Sequence, residues 1–134
     1  MGAWGIKNFE NDGAADFVED VLQGNKLIIP NTIQKILELS NHDYLGIPDC
    51  EQGLAAVEFI AAAKGKPSVD MSDKAIEWIK KNDLLSFSDF DLIASAQNVI
   101  YHVLDDSEMK ELWKEAGELK DWEKVIADLK ERIS

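Results

Sequence analysis

The chain has 134 residues, 46% of them apolar, and a formal net charge of −12. That length and composition fit one folded domain, 1–134, with a core of its own and exclude a disordered chain. The acidity excludes direct nucleic-acid binding, because a phosphate backbone would be repelled, and the lone Cys50 excludes an internal disulfide, as suits a reducing cytoplasm.

The first stretch, "MGAWGIKNFENDGAADFVED", sets two glycines beside Trp4 and then a run of acids and amides. A helix is predicted from Asp12 or Gly13 to Gln23, with Ala14, Phe17, Val18, Val21 and Leu22 on one face. Asn11 or Asp12 caps its first turn, and Gly24 suits a left-handed C-terminal position. "KLII" reads as a strand or a packed connector. Asn31 starts a second helix bearing Ile33, Ile36 and Leu37, and "SNHDYLGIPD" reads as a loop. Asp49, with Gln52 three residues on, makes a capping box for the third helix. That helix, "CEQGLAAVEFIAAAKG", is apolar nearly all round and is predicted to be the buried centre. Gly65 and Pro67 end it.

Ser72 caps "DKAIEWIKKN", Ser88 caps "DFDLIASAQNVIYHVL", Ser107 caps "EMKELWKEAG" and Asp121 caps "WEKVIADLKERI". In the last, Trp122, Val125, Ile126, Leu129 and Ile133 form one apolar face. The expectation is an all-α bundle of six to seven helices, with room for one short strand. No targeting segment, myristoylation motif or apolar run long enough for a membrane is visible, so a cytoplasmic location is expected.

Few motifs carry chemistry. Asn8, Glu10, Asp12, Gly13, Asp16 and Glu19 fall at EF-hand spacing, but no helix can precede them, so a capped helix is expected and no calcium site. His42 and His102 lack a second ligand at metal spacing. Cys50 opens a helix whose dipole would lower a thiol pKa, but beside an apolar helix it reads as a small buried residue. With no phosphate loop, nucleophile elbow or HExxH, no catalytic residue, cofactor or metal is assigned. Trp78, Trp113 and Trp122 lie on helical faces and read as core. Trp4 lies off any helix and is expected to dock the N-terminal arm.

The opening residues also carry a resemblance. "MGAWG" followed by Phe9, Glu10, Asn11, Asp12, Ala15, Asp16 and Phe17 resembles a family of small bacterial proteins, domain of unknown function number 4259. Its members begin Met-Gly-Ala-Trp-Gly and continue Phe-Asp-Asn-Asp; Glu10 replaces the more usual Asp. The alanine-rich "LAAVEFIAAAKGKP" is also similar. The resemblance covers about the first half and implies a single-domain, helix-rich protein, with Trp4, Phe9, Glu10, Asn11, Asp12 and Asp16 as a structural signature or a site. It brings no activity.

Three windows contain acids and no base: 8–25, 36–63 and 82–109. The last holds Asp83, Asp89, Asp91, Asp105, Asp106 and Glu108, with Phe87 and Phe90 interleaved. Acids beside aromatics suit a protein interface. The expected function is a non-enzymatic module that binds a basic protein partner, in the manner of immunity proteins that neutralise nuclease toxins. Its contact residues would be Phe87, Asp89, Phe90, Asp91, Asp105, Asp106 and Glu108. The alternative is a small enzyme or a divalent-metal or ligand-binding protein that uses the N-terminal acids. In the plainest reading the charge serves solubility alone.

Overall fold

The computed structural model describes residues 5–42, 44–86 and 89–134. Among them are seven α-helices: α1 Asp12–Gln23, α2 Ile28–His42, α3 Ile47–Ala63, α4 Asp73–Lys81, α5 Asp89–Asp105, α6 Glu108–Glu115 and α7 Leu119–Arg132. A 3-10 turn at Leu84–Ser86 precedes α5. No strand occurs among the described residues; the only sheet-like pairing there is an isolated parallel bridge between Leu45 and Ser107. No described helix is long and apolar enough to cross a membrane.

Helix α3 is the centre. From Gly53 to Ala62 every residue is buried, and each of the other six helices packs against it. Burial of Leu54, Val57, Phe59 and Ile60 contributes about 1.5–3 kcal/mol per side chain against the cost of ordering the chain. Small residues set the approach distances. A Cβ on Gly53 would stand 3.3 Å from Ile36 and 3.4 Å from Val99, so α2 and α5 close directly on α3. Phe59 meets Phe17 edge-on at 6.1 Å and Trp78 at 5.7 Å, which locks α1 and α4 to the same side. Trp122 and Trp113 are buried, and Trp78 is half-buried.

Local chemistry explains three of the helix starts. The Asn11 side chain accepts from Ala14 N at 2.7 Å, so Asn11 rather than Asp12 caps α1. Ser72 caps α4 through Ala75 N at 3.2 Å. Ser107 caps α6 through Lys110 N at 3.1 Å while donating to Val103 O at 2.8 Å.

Several boundaries differ from the sequence expectation. "KLII" is neither strand nor connector: its two isoleucines open α2, three residues before Asn31, with Pro30 tolerated in the first turn. The loop after α2 is correspondingly short. Asp49 does not cap α3; the N-cap is Gly46, which has no side chain to offer, and Pro48 sits in the first turn. The cap comes instead from across the molecule, where the Glu108 carboxylate accepts from Ile47 N at 2.9 Å. Asp121 does not cap α7, which begins two residues earlier at Leu119. Gly24 has φ −106° and is not left-handed, whereas Gly65 and Gly117, at φ +88° and +77°, are. Ser88, like Trp4, lies outside the described residues.

Ser107→Ala should cost about 1–2 kcal/mol, the range for a lost helix cap, and lower Tm by several degrees. Asp121→Ala, at a first-turn position without a capping bond, should cost clearly less. Thermal melts of both variants check the pair; equal losses would restore the cap predicted at Asp121.

Candidate functional site

Two buried carboxylates interrupt α3. Glu51 and Glu58 stand seven residues apart, so they share one face of the helix, and they are only 7% and 2% exposed. Buried charge is costly unless answered, and the two acids are answered differently.

Glu58 is fully answered. Arg132, near the end of α7, donates from Nη1 to Glu58 Oε1 at 2.8 Å and from Nη2 to Oε2 at 3.0 Å. Its Nε donates to Asp128 at 2.9 Å, and Nη1 also reaches Lys66 O at 3.2 Å. Burial works to lower the Arg132 pKa, but the bonds and charges of Glu58 and Asp128 outweigh it and hold the guanidinium above its ordinary value. Asn8 completes the cluster by donating Nδ2 to Glu58 Oε2 at 2.7 Å. A carboxylate only accepts, so the amide orientation is fixed. Asn8 Oδ1 is thereby turned away and is buried without a partner.

Among the described residues no cation pairs with Glu51. Its side chain abuts the start of α1: a Cβ on Gly13 would stand only 2.8 Å from Glu51 Cβ and closer still to Oε1, which is why glycine occupies this position. Burial, then repulsion from Asp12, raises the Glu51 pKa, and the Gly13 N–H partly offsets the rise.

Gly13 therefore lies on Glu51 and Asn8 on Glu58, so the segment 8–13 runs antiparallel along the acid face of α3. The signature residues Phe9, Glu10, Asn11 and Asp12 belong to this run. Phe9 packs half-buried against the core. Glu10 folds back to accept from Lys7 N at 3.2 Å, Asn11 is the α1 cap, and Asp12 and Asp16 lie exposed in α1. Residues 12–19 are helical, so no EF-hand loop forms from them. Among the described residues no three acids, histidines or cysteines gather as metal ligands.

Sequence reasoning overlooked Asn8, Glu58, Arg132 and Glu51 as a group. The signal was present: two acids seven apart in a helix that is apolar at most other positions. Over this cluster opens a cleft of about 400 Å³, walled by the 67–70 segment and α7.

Cys50 is not an activated thiol. It is fully buried, and burial pushes its pKa up to about 11 despite bonds to Ser107 and Met109. His102 sits half-buried, its ring edge-on to Tyr101 at 5.3 Å.

The acid patch of 82–109 divides. Phe87 lies outside the described residues; Asp89, Phe90 and Asp91 form the first turn of α5, and their side chains also lie outside the description. At the far end of that helix, Asp105, Asp106 and Glu108 are exposed. The Leu45–Ser107 bridge brings Tyr44, 51% exposed, beside Asp106 and Glu108. Partial burial and the nearby Glu111, Asp106 and Glu108 carboxylates raise its phenol pKa.

Residues 2–125 match the family model Domain of unknown function (DUF4259). The chain belongs to this family. The match reaches well past the N-terminal half and takes in six of the helices and the start of α7. No curated protein and no solved structure matches the chain.

Breaking the ion pair should destabilise the fold. Arg132→Leu should cost about 3–5 kcal/mol, the penalty of stranding the buried Glu58 carboxylate; Glu58→Leu should cost less, since Arg132 keeps Asp128, and the double variant should be less destabilised than Arg132→Leu. Urea unfolding of all four proteins measures this. For Glu51 the sign runs the other way. A carboxylate whose folded pKa lies above its ordinary 4.5 destabilises the fold once ionised, so its stability contribution falls as pH rises through that range. Glu51→Gln should therefore raise Tm at pH 7, with the advantage vanishing below pH 4.5; a constant difference across pH would remove Glu51 as the cause.

Proposed function

We propose that this member of the family is a non-enzymatic module that binds a basic protein through an acidic, tyrosine-bearing surface at the junction of the α2–α3 loop, the end of α5 and α6. The observation that carries the reading is the gathering of Tyr44 with Asp106, Glu108 and Glu111 at one exposed place, with Asp105 next in the chain. An exposed tyrosine supplies rigid contact area at low entropic cost, and surrounding carboxylates steer a cationic partner and set its orientation. The net charge of −12 extends the attraction over the whole molecule. Toxin neutralisation, in which an acidic protein covers a basic nuclease, is the biological setting this chemistry suits. The support for that setting is class-level: small size, acidity and a surface of this composition.

The first turn of α5, with Asp89, Phe90 and Asp91, lies at the other end of a 17-residue helix, about 25 Å away at 1.5 Å per residue. A partner of ordinary interface size would centre on one end or the other. Tyr44 favours the Asp105–Glu108 end as the centre.

The test begins with a partner captured by pull-down and proceeds to association kinetics. The on-rate should fall at least tenfold between low salt and about 0.5 M, as expected for steered encounter. Asp105→Asn with Asp106→Asn should slow association with little change in Tm. Tyr44→Ala should chiefly raise the off-rate, weakening affinity by about thirtyfold if the ring is an anchor. Glu108 is left intact, since it caps α3. An on-rate indifferent to salt and to the two aspartates would eliminate this surface.

A further inference from the structure

Residues 5–10 are built unlike the helices they lie on. The segment is a turn that closes on itself: Glu10 N donates to Lys7 O at 3.0 Å, and Lys7 N donates to Glu10 Oε1 at 3.2 Å. Gly5 lies so close under the same carboxylate that a Cβ there would overlap it. Among the described residues no backbone hydrogen bond joins this turn to the bundle. Its attachments are side chains. Ile6 and Phe9 are half-buried against the core, the exposed Lys7 reaches Asp70 at 3.6 Å, and Asn8 donates to Glu58 at 2.7 Å.

Asn8 is the one fully buried residue of the turn, and its contact carries a penalty. The bond to Glu58 leaves Asn8 Oδ1 dry and without a donor. A charge-assisted bond and a dry, orphaned acceptor are of the same order and opposite sign, so the closed turn gains little from Asn8. Glu58 does not depend on Asn8 either, because each of its oxygens keeps a bond from Arg132 when Asn8 leaves. Departure of the turn therefore strands no charge, and it hydrates the orphan. Segments with few buried contacts and no backbone ladder to the rest open at free energies below that of global unfolding.

We propose that residues 5–10 are a strap that opens as one unit about Asn11, baring the Glu58–Arg132 pair while the helices stay folded. Asn11 is the hinge because its side chain holds Ala14 N and fixes the start of α1. Lys7 and Asn8 line the cleft of about 400 Å³ opposite the 67–70 segment and α7, and the Lys7–Asp70 pair ties the two sides together. Opening removes one wall and turns the cleft into an open face along the seam of α3 and α7. The strap thus governs access to that seam. It is a device separate from the acidic partner surface, which lies on other elements.

Trypsin cuts only chain that can be drawn out of its fold, so its rate at a given lysine follows the population open there. Digestion of the full chain under native conditions, with fragments identified by mass, compares Lys7 with Lys124 in the middle of α7. The cut after Lys7 should be at least about a hundredfold faster than the cut after Lys124. It should respond weakly to about 1 M urea, whereas the Lys124 cut should rise steeply, since global unfolding exposes far more surface. Phe9→Ala, at the apolar anchor of the strap, should speed the Lys7 cut at least about fivefold. Ile36→Val, in the core of α2 against Gly53, should speed the Lys124 cut severalfold and leave the Lys7 cut unchanged, because the closed and open forms lose that packing equally. A Lys7 cut that keeps pace with the Lys124 cut in urea or in Ile36→Val would mean that the arm opens only with the whole fold, and would overturn the inference. So would a Lys7 cut as fast as in an isolated peptide of the same sequence, or indifference to Phe9→Ala.

Discussion

A carboxylate held almost dry inside the central helix is the constraint on which the rest of the structure turns. Glu58 occupies a position where Leu or Met would be cheaper by the usual reckoning of burial. Once it is there, a planar cation must reach it from another element, and Arg132 does so with both Nη atoms. That demand fixes the register of α7 against α3, because a shift of one residue would carry Arg132 off the face. It also fixes the arm: Asn8 has to bring its Nδ2 to Glu58 Oε2, and the chain between Asn8 and α1 has only three residues in which to turn. Directional polar contacts specify one arrangement where apolar packing tolerates several. Much of the remaining core is aliphatic, with Phe17, Phe59, Trp113 and Trp122 set among it.

The same geometry accounts for four residues of the N-terminal signature. Phe9, Glu10, Asn11 and Asp12 are placed by a short antiparallel run over the acid face of α3, ending where Gly13 meets Glu51. The glycine is required by proximity rather than by its dihedral angles: a methyl group there would overlap the Glu51 side chain. Asn11 closes the run by capping α1 and holding its Nδ2 near Asn8 O at 3.4 Å. A motif that looks in isolation like a metal loop is therefore largely explained as the joint between arm, first helix and core.

What could be read from the sequence follows the range of the interactions. The seven helices, the central position of α3 and the caps at Asn11, Ser72 and Ser107 are local or periodic features, and each was legible within a few residues. The failures are long-range. Asp49 looked like a cap because nothing nearby reveals that Glu108, 61 positions from Ile47, already supplies one. Asp121 looked like a cap because the start of α7 at Leu119 carries no capping side chain of its own. Glu58 was visible as the one acid in "AAVEFIAAA", but its partner is 74 residues away, beyond any spacing rule. Cys50 shows how a local rule can lose: a helix start lowers a thiol pKa, yet complete burial raises it more.

Range also shapes the acidic surface. As a string, residues 82–109 look like one acid-and-aromatic patch with its phenylalanines at one end. Folded, α5 holds the two acid groups apart, and the aromatic that joins the far group is Tyr44, a residue some sixty positions away in the chain. It arrives because Glu108 N donates to Leu45 O at 2.9 Å and Glu108 Oε1 accepts from Ile47 N at the same distance. One glutamate thus pins the loop, caps the central helix and adds a negative charge beside an exposed ring. The loop cannot leave this position without uncapping α3, so Tyr44 and the acids beside it are held in place. Such preorganisation would lower the ordering cost of the association proposed for this surface.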